Sequence, residues 1–92
     1  MTNGIAVLYD FKTPKNIDYS MSIITALASR GVAFDISPNS ERRVALIING
    51  SIYSPEDIGK NQKDILKYAE KIDKMNRQRL RRARESELAR MS

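Results

Sequence analysis

The residues of this chain best suited to binding a ligand are its arginines, and they are concentrated towards the C-terminal end of the sequence. Five arginines occur in the eight residues from Arg77 to Arg84, with no acidic residue among them. A guanidinium group can hold a phosphate through two parallel hydrogen bonds and can stack on a base, whereas a lysine acts more as a point charge. This run therefore predicts contact with a polyanion. The predicted contact residues are Lys67, Lys74, Arg77, Arg79, Arg81, Arg82 and Arg84.

Carboxylates offer the only other arrangement that could support a reaction. Asp10 and Asp35 lie at or near the ends of two apolar runs, and carboxylates at the carboxyl ends of parallel strands could hold Mg²⁺ for phosphoryl transfer. Two acids are a small ligand set, however, and aspartate is also a frequent turn residue. The chain contains no histidine and no cysteine, so the usual general base and the thiolate ligands are missing. We therefore predict a protein without catalytic residues, metal or cofactor.

Net charge is distributed unequally along the chain. Residues 60–92 contain eleven basic and five acidic residues, a net charge of +6, whereas residues 1–59 contain five basic and six acidic residues, a net charge of −1. This asymmetry favours a polyanionic partner, because cations bound to phosphates release counterions. No apolar run approaches the roughly 20 residues that span a bilayer, and the first residues do not resemble a signal peptide. Together with the lack of cysteine, these features predict a soluble cytoplasmic protein that does not bind membranes.

Apolar runs and turn residues predict the elements that position these groups. Residues 5–9 form a continuous apolar run, which is typical of a strand covered on both faces. A helix capped at Asp18 or Ser20 is expected to run to Arg30, and residues 32–36 are expected to form a second strand. A strand, a helix and a strand within about thirty residues favour a βαβ unit with two parallel strands.

A turn dipeptide and a helix-cap sequence predict the remaining elements of the fold. Residues 44–48 are rich in β-branched side chains and indicate a third strand, and Asn49-Gly50 is the preferred dipeptide of a type I′ turn into a short fourth strand. Ser54-Pro55 supplies a hydroxyl cap and a proline in the first turn of a helix. Gly59 leaves open whether one helix or two follow.

The predicted fold class is α+β, with the order βαββα, a small three- or four-stranded mixed sheet and a long basic C-terminal helix. We divide the chain into a βαββ globular body, residues 1–58, and a basic C-terminal helical segment, residues 59–92.

The predicted body resembles the outline of glutaredoxin and thioredoxin-like proteins. The likeness covers the first strand, the helix, Val32-Ala33-Phe34, and the strand and turn of the hairpin, Leu46-Ile47-Ile48-Asn49-Gly50. It implies a topology alone, because the cysteine motif of those proteins is absent, as is the proline that normally precedes their third strand. Seven loop residues also replace a whole helix. No redox activity is expected, and no family is assigned.

The C-terminal helix is expected to be amphipathic, at about 100° per residue. Its apolar stripe is thin and is interrupted by Asn76, which favours a helix–helix seam in which the asparagine sets the register. We predict a homodimer whose interface residues are Ile65, Ile72 and Leu80. The opposite side of the helix holds the row of lysines that includes Lys67 and Lys74. A face of mixed charge is also common in helices that simply face water, and this alternative applies most to residues 60–74.

These observations favour a small, non-catalytic, nucleic-acid-binding regulatory protein that contacts phosphates through its Arg/Lys-rich C-terminal helix. Binding to DNA or RNA is expected to be largely independent of base sequence, since no known nucleic-acid-binding motif is present. The alternative is a compact inhibitor or adaptor, of the host-modulating or phage type, that docks the basic helix on an acidic protein surface. The same side chains would steer either encounter, so the sequence leaves both open.

Overall fold

The computed structural model describes residues 4–38 and 42–91. The elements are β1 (Ile5–Tyr9), α1 (Pro14–Ser29), β2 (Asp35–Pro38), β3 (Ala45–Ile48), β4 (Ser51–Tyr53) and α2 (Pro55–Met91). The predicted α+β class and the βαββα order are confirmed, and the sheet has four strands. In the part of the chain described, no helix combines the length and the apolar character needed to cross a membrane.

The sheet is mixed and has the strand order β2-β1-β3-β4. β1 and β2 are parallel, as the βαβ prediction requires, and β3 runs antiparallel to both β1 and β4. The hairpin between β3 and β4 has φ angles of 51° at Asn49 and 88° at Gly50. Two successive positive φ angles are what a type I′ turn needs, so the predicted hairpin is confirmed.

The starts of two predicted elements differ from the observed ones by three residues or more. α1 begins at Pro14 rather than after Asp18, because proline is well suited to the first turn of a helix, where no intrahelical N–H bond is lost. β2 begins at Asp35 rather than at Val32. The amide of Val32 instead donates a hydrogen bond of 3.1 Å to the carbonyl of Leu27, which closes α1 through Gly31 at a φ of 70°.

α2 begins with the predicted cap. The Ser54 hydroxyl accepts the Asp57 amide at 3.1 Å, and the Asp57 carboxylate accepts the Ser54 amide at 3.0 Å. The hydrogen bond that the Asp57 carboxylate accepts from the Ser54 amide is the largest cause of the lowering of the Asp57 pKa from its ordinary value. A non-helical residue, Asn61, at φ −128° and ψ 37°, interrupts α2 and divides it into two helical segments, residues 55–60 and residues 62–91. The sequence left open whether one helix or two follow Ser54, and the structure has two that meet at a kink two residues after Gly59.

The core lies between one face of the sheet and both helices. Ile5 and Val7 of β1 and Leu46 and Ile48 of β3 are buried on this face. They pack with Ile23 and Leu27 of α1 and with Ile65, Leu66, Ala69 and Ile72 of α2. The first half of α2, as far as Ile72, therefore packs in the same core as the strands and α1. We call residues 4–76, where described, the body, and Arg77–Met91 the arm.

Candidate polyanion-binding surface

The arm is the most exposed and most cationic part of the described chain. Every residue from Arg77 to Arg90 is exposed, and these residues form about 20 Å of helix at 1.5 Å per residue. The molecule measures 55 × 27 × 21 Å, and the long dimension matches the length of α2. The arm contains six arginines and two glutamates, a net charge of +4, which leaves +1 for the rest of the chain. Its cations therefore project away from a nearly neutral body.

Three of the predicted contact residues form a row along α2. Lys67, Lys74 and Arg81 recur every seven residues, so they lie within about 40° of one another round the helix and extend about 21 Å along it. All three are exposed, on the side of the helix away from Ile65 and Ile72. The row crosses the boundary between body and arm, which gives it a rigid base.

A shallow open depression of about 540 Å³ lies beside this row. The residues lining it are Lys74, Arg77, Gln78, Leu80, Arg81 and Arg84. Four of these six carry a positive charge and none carries a negative charge. A surface of this kind suits an anion whose oxygens can accept several guanidinium hydrogen bonds at once.

Arg77 also has a structural role that the sequence interpretation missed. Its Nε lies 3.0 Å from Oδ2 of Asp73, and its Nη2 donates a hydrogen bond of 2.6 Å to the carbonyl oxygen of Gly31. The other oxygen of the buried Asp73 carboxylate accepts the amide of Ala33 at 3.2 Å. This network ties the base of the arm to the connection between α1 and β2. The four-residue spacing of an acid and an arginine on a helix is the sequence signal that could have indicated it.

Arg79, Arg82 and Arg84 diverge from the row. Arg79 continues the seven-residue spacing of Ile65 and Ile72, but it lies past the end of the core and is exposed. It lines a small cavity of about 210 Å³ at the end of the sheet. Arg82 and Arg84 are exposed on the two flanks of the arm. The predicted residues thus share one helix but surround it, and no single face presents all of them.

The residues predicted to form a dimer interface are divided by the structure. Ile65 and Ile72 are buried in the core of their own chain, where they pack with residues of the sheet. Leu80 is 53 % exposed and is available to a partner. The helical spacing of the stripe was correctly recognised, but the surface that it covers is the body's own sheet.

The predicted carboxylate pair is not assembled. Asp10 follows the carboxyl end of β1, whereas Asp35 is the first residue of β2 and pairs with Ala6, near the other end of the sheet. The Asp10 carboxylate accepts the amide of Lys12 and the side-chain amide of Asn16, each at 3.0 Å. Those bonds, that from Asn16 above all, lower the pKa of Asp10 from its ordinary value. Over residues 4–38 and 42–91, no three histidine, cysteine, aspartate or glutamate residues group as metal ligands would.

Comparisons with protein-family models, with curated proteins and with solved structures gave no significant match. The resemblance to thioredoxin-like proteins therefore remains a likeness of outline.

Proposed function

We propose that this chain is a small, non-catalytic, nucleic-acid-binding regulatory protein that contacts phosphates through its cationic arm. The observation that carries the proposal is the open depression lined by Lys74, Arg77, Arg81 and Arg84. Cations on adjacent turns of one helix neutralise successive phosphates and release their counterions, which supplies most of the free energy of sequence-independent binding. The proposal includes a cytoplasmic location, which the cysteine-free composition supports.

The dimensions of the cationic row support a nucleic acid as the polyanion. A row of about 21 Å corresponds to roughly six base pairs of duplex at 3.4 Å per step. Arginine side chains on both flanks of the arm can reach phosphates on either side of a groove or of a folded RNA strand. Because these contacts reach the backbone rather than base edges, affinity is expected to vary little with base sequence.

The test compares two variants that remove the same charge. The arm variant replaces Arg79, Arg81, Arg82 and Arg84 with glutamine and keeps Arg77, whose contacts support the base of the arm. The control variant replaces the exposed residues Lys12, Lys15, Lys60 and Lys63 with glutamine. Fluorescence anisotropy with a generic DNA duplex and a structured RNA, at about 50 mM and about 200 mM salt, measures affinity and its salt dependence.

We expect the slope of log affinity against log salt to fall by about three to four units on duplex DNA in the arm variant, at about 0.9 per lost phosphate contact. The control variant should keep most of the wild-type slope. Equal losses in both variants would show that only net charge matters and that the arm is not the site. If the wild-type chain binds neither nucleic acid near physiological salt, the proposal is wrong, and an acidic protein becomes the partner to seek.

A further inference from the structure

A cavity of about 200 Å³ lies between α1 and the first half of α2, and the proposed function does not involve it. Three of the residues that line it, Ile23, Leu46 and Leu66, are buried members of the core. Ser22 and Gln62 also line the cavity and are exposed, so it opens to solvent on their side. The cavity therefore reaches from the surface to the core, between two helices that the core holds in place.

Small residues and the kink in α2 leave this space between the helices. Ala26 of α1 and Gly59 of α2 line the cavity and contribute one methyl group and no side chain. A Cβ atom added at Gly59 would meet no atom within 4 Å beyond its own stretch of helix. The cavity spans the kink, because Ile58 lies before the non-helical Asn61 and Gln62 lies after it. Protein interiors contain few spaces larger than a water molecule, so a cavity of this size is a distinct feature of the fold.

The lining of the cavity is apolar and uncharged. None of the described residues that line it is acidic or basic, although charged residues make up 29 % of the chain. Tyr19, Pro55 and Ile58 are half-buried and add ring and aliphatic surface to that of the core residues. The Ser22 hydroxyl and the Gln62 side-chain amide can each donate and accept a hydrogen bond at the opening. An apolar lining with a few polar groups is typical of sites for small molecules.

The volume of the cavity determines the size of the ligand. Sites for drug-sized molecules have volumes of about 300–1,000 Å³, whereas an apolar cavity of about 150 Å³ holds a benzene ring. We propose that this cavity binds a small, uncharged molecule with one aromatic ring and a polar substituent. The ring packs on Ile23, Leu46 and Leu66. The substituent forms a hydrogen bond with Ser22 or Gln62.

The surroundings of the cavity favour a free small molecule over a segment of another protein. The exposed neighbours of the lining residues on the two helices are polar or charged, as Asp18, Thr25 and Lys63 show. Continuous apolar surface thus ends at the opening, whereas a face that docks a protein is commonly an apolar patch of several hundred Å². A polyanion does not suit the cavity either, because no cation lines it. This site is therefore separate from the arm, and its test contains no nucleic acid.

Titration of the ¹⁵N-labelled full chain with phenol, followed by NMR, tests the proposal. Benzoate is the matched probe, because it has the same ring with a negative charge that the net charge of +5 would attract. We expect phenol to cause saturable shifts of amides in α1 and on both sides of the kink, with a Kd of about 1–10 mM. At the same amides benzoate should bind at least about tenfold more weakly, since burial of its charge in an apolar cavity is costly.

Two variants that fill the cavity provide the second readout. Ala26→Leu and Gly59→Leu each add a side chain at a lining position, and Gly59 has room for a Cβ atom. Ala28→Leu is the matched control, because it makes the same substitution two residues later on α1, at an exposed position that does not line the cavity. The Kd for phenol should rise at least about tenfold in each filled variant and change little in Ala28→Leu. Circular dichroism verifies that all three variants are folded.

Three results would overturn the proposal. The first is a wild-type chain that shows no saturable shifts at about 50 mM phenol, well above a millimolar Kd. The second is benzoate that binds as tightly as phenol at the same amides, because the lining would then not select an uncharged ring. The third is wild-type affinity for phenol in folded Gly59→Leu, which would place the bound ring outside the cavity.

Discussion

Asp73 is the residue whose environment differs most from what its sequence position suggests. It lies on a highly charged helix, yet its side chain is buried and its two oxygens bind the Ala33 amide and Arg77. A buried carboxylate with this set of partners contributes to stability, and its removal leaves a backbone amide poorly satisfied. Asp73 therefore links the fold of the body to the direction of the arm.

Asp73→Asn is predicted to lower the free energy of unfolding by about 1–3 kcal/mol, as expected for a lost charged hydrogen-bond partner. It should also weaken nucleic-acid binding, because the base of the arm is less firmly held, although the substitution makes the chain more positive. Urea unfolding and anisotropy measure the two effects. The control is Asp64→Asn, which makes the same charge change at an exposed position of α2. Binding that increases equally in both variants would show that Asp73 does not position the arm.

Asp10 provides a prediction about pH. Its hydrogen bonds from Asn16 and Lys12 depress the folded-state pKa below the ordinary value of 3.8. A depressed carboxyl pKa stabilises the fold fully above the unfolded-state value, and that stabilisation is lost as the pH falls through the folded-state value. Relative to the wild-type chain, Asp10→Asn should be destabilised most at pH 7, and the difference should shrink below about pH 4.

Urea unfolding of the wild-type chain and of Asp10→Asn at pH 7 and pH 3 measures this difference. Asp18→Asn, an exposed acid on α1, controls for the change in net charge. A difference between the wild-type chain and Asp10→Asn that is the same at both pH values would contradict the assigned hydrogen bonds.

At the scale of the elements, turns and helix caps could be predicted because they depend on a few adjacent residues. The Asn49-Gly50 turn and the Ser54 cap depend on the backbone preferences of a few adjacent residues, and both were predicted. The start of β2 was misplaced because Val32 has strand propensity, but its amide closes α1 and its side chain is buried in the core. The closure of α1 at Gly31, together with packing in the core, overrode the strand propensity of Val32 there.

The contrast between local signals and tertiary packing also explains which parts of α2 could be predicted. Helical spacing identified the stripe of Ile65 and Ile72 correctly, but spacing does not say whether a stripe faces a partner or the chain's own sheet. The Lys67–Lys74–Arg81 row follows from spacing alone and is present as exposed side chains. The link from Arg77 to Gly31 joins residues 46 positions apart, so only the fold brings it about.

At the scale of the whole molecule, α2 extends through both the body and the arm. Its first half contributes Ile65, Leu66, Ala69 and Ile72 to the core, and its second half projects from the body with exposed side chains. A chain shortened to residues 1–58 lacks all four core residues. Losing one large apolar side chain from a core typically costs about 2–5 kcal/mol. Losing Ile65, Leu66 and Ile72 together would therefore cost about 6–15 kcal/mol, which is comparable with the whole stability of about 5–15 kcal/mol of a small domain.

Truncation therefore separates the two halves of α2. A chain that ends at Gln78 keeps the core and the contacts of Arg77, and residues 79–90, which it lacks, are all exposed. At protein concentrations too low for dimerisation, we expect its free energy of unfolding to lie within about 1 kcal/mol of the wild-type value, as is usual for changes at exposed positions. A chain that ends at Ile58 should show no cooperative unfolding transition in urea.

If that shorter chain unfolds cooperatively, the strands and α1 form a sufficient core alone, and the boundary near residue 58 expected from the sequence is the correct one. If the chain ending at Gln78 is destabilised by several kcal/mol at the same dilution, the arm contributes to the fold of its own body.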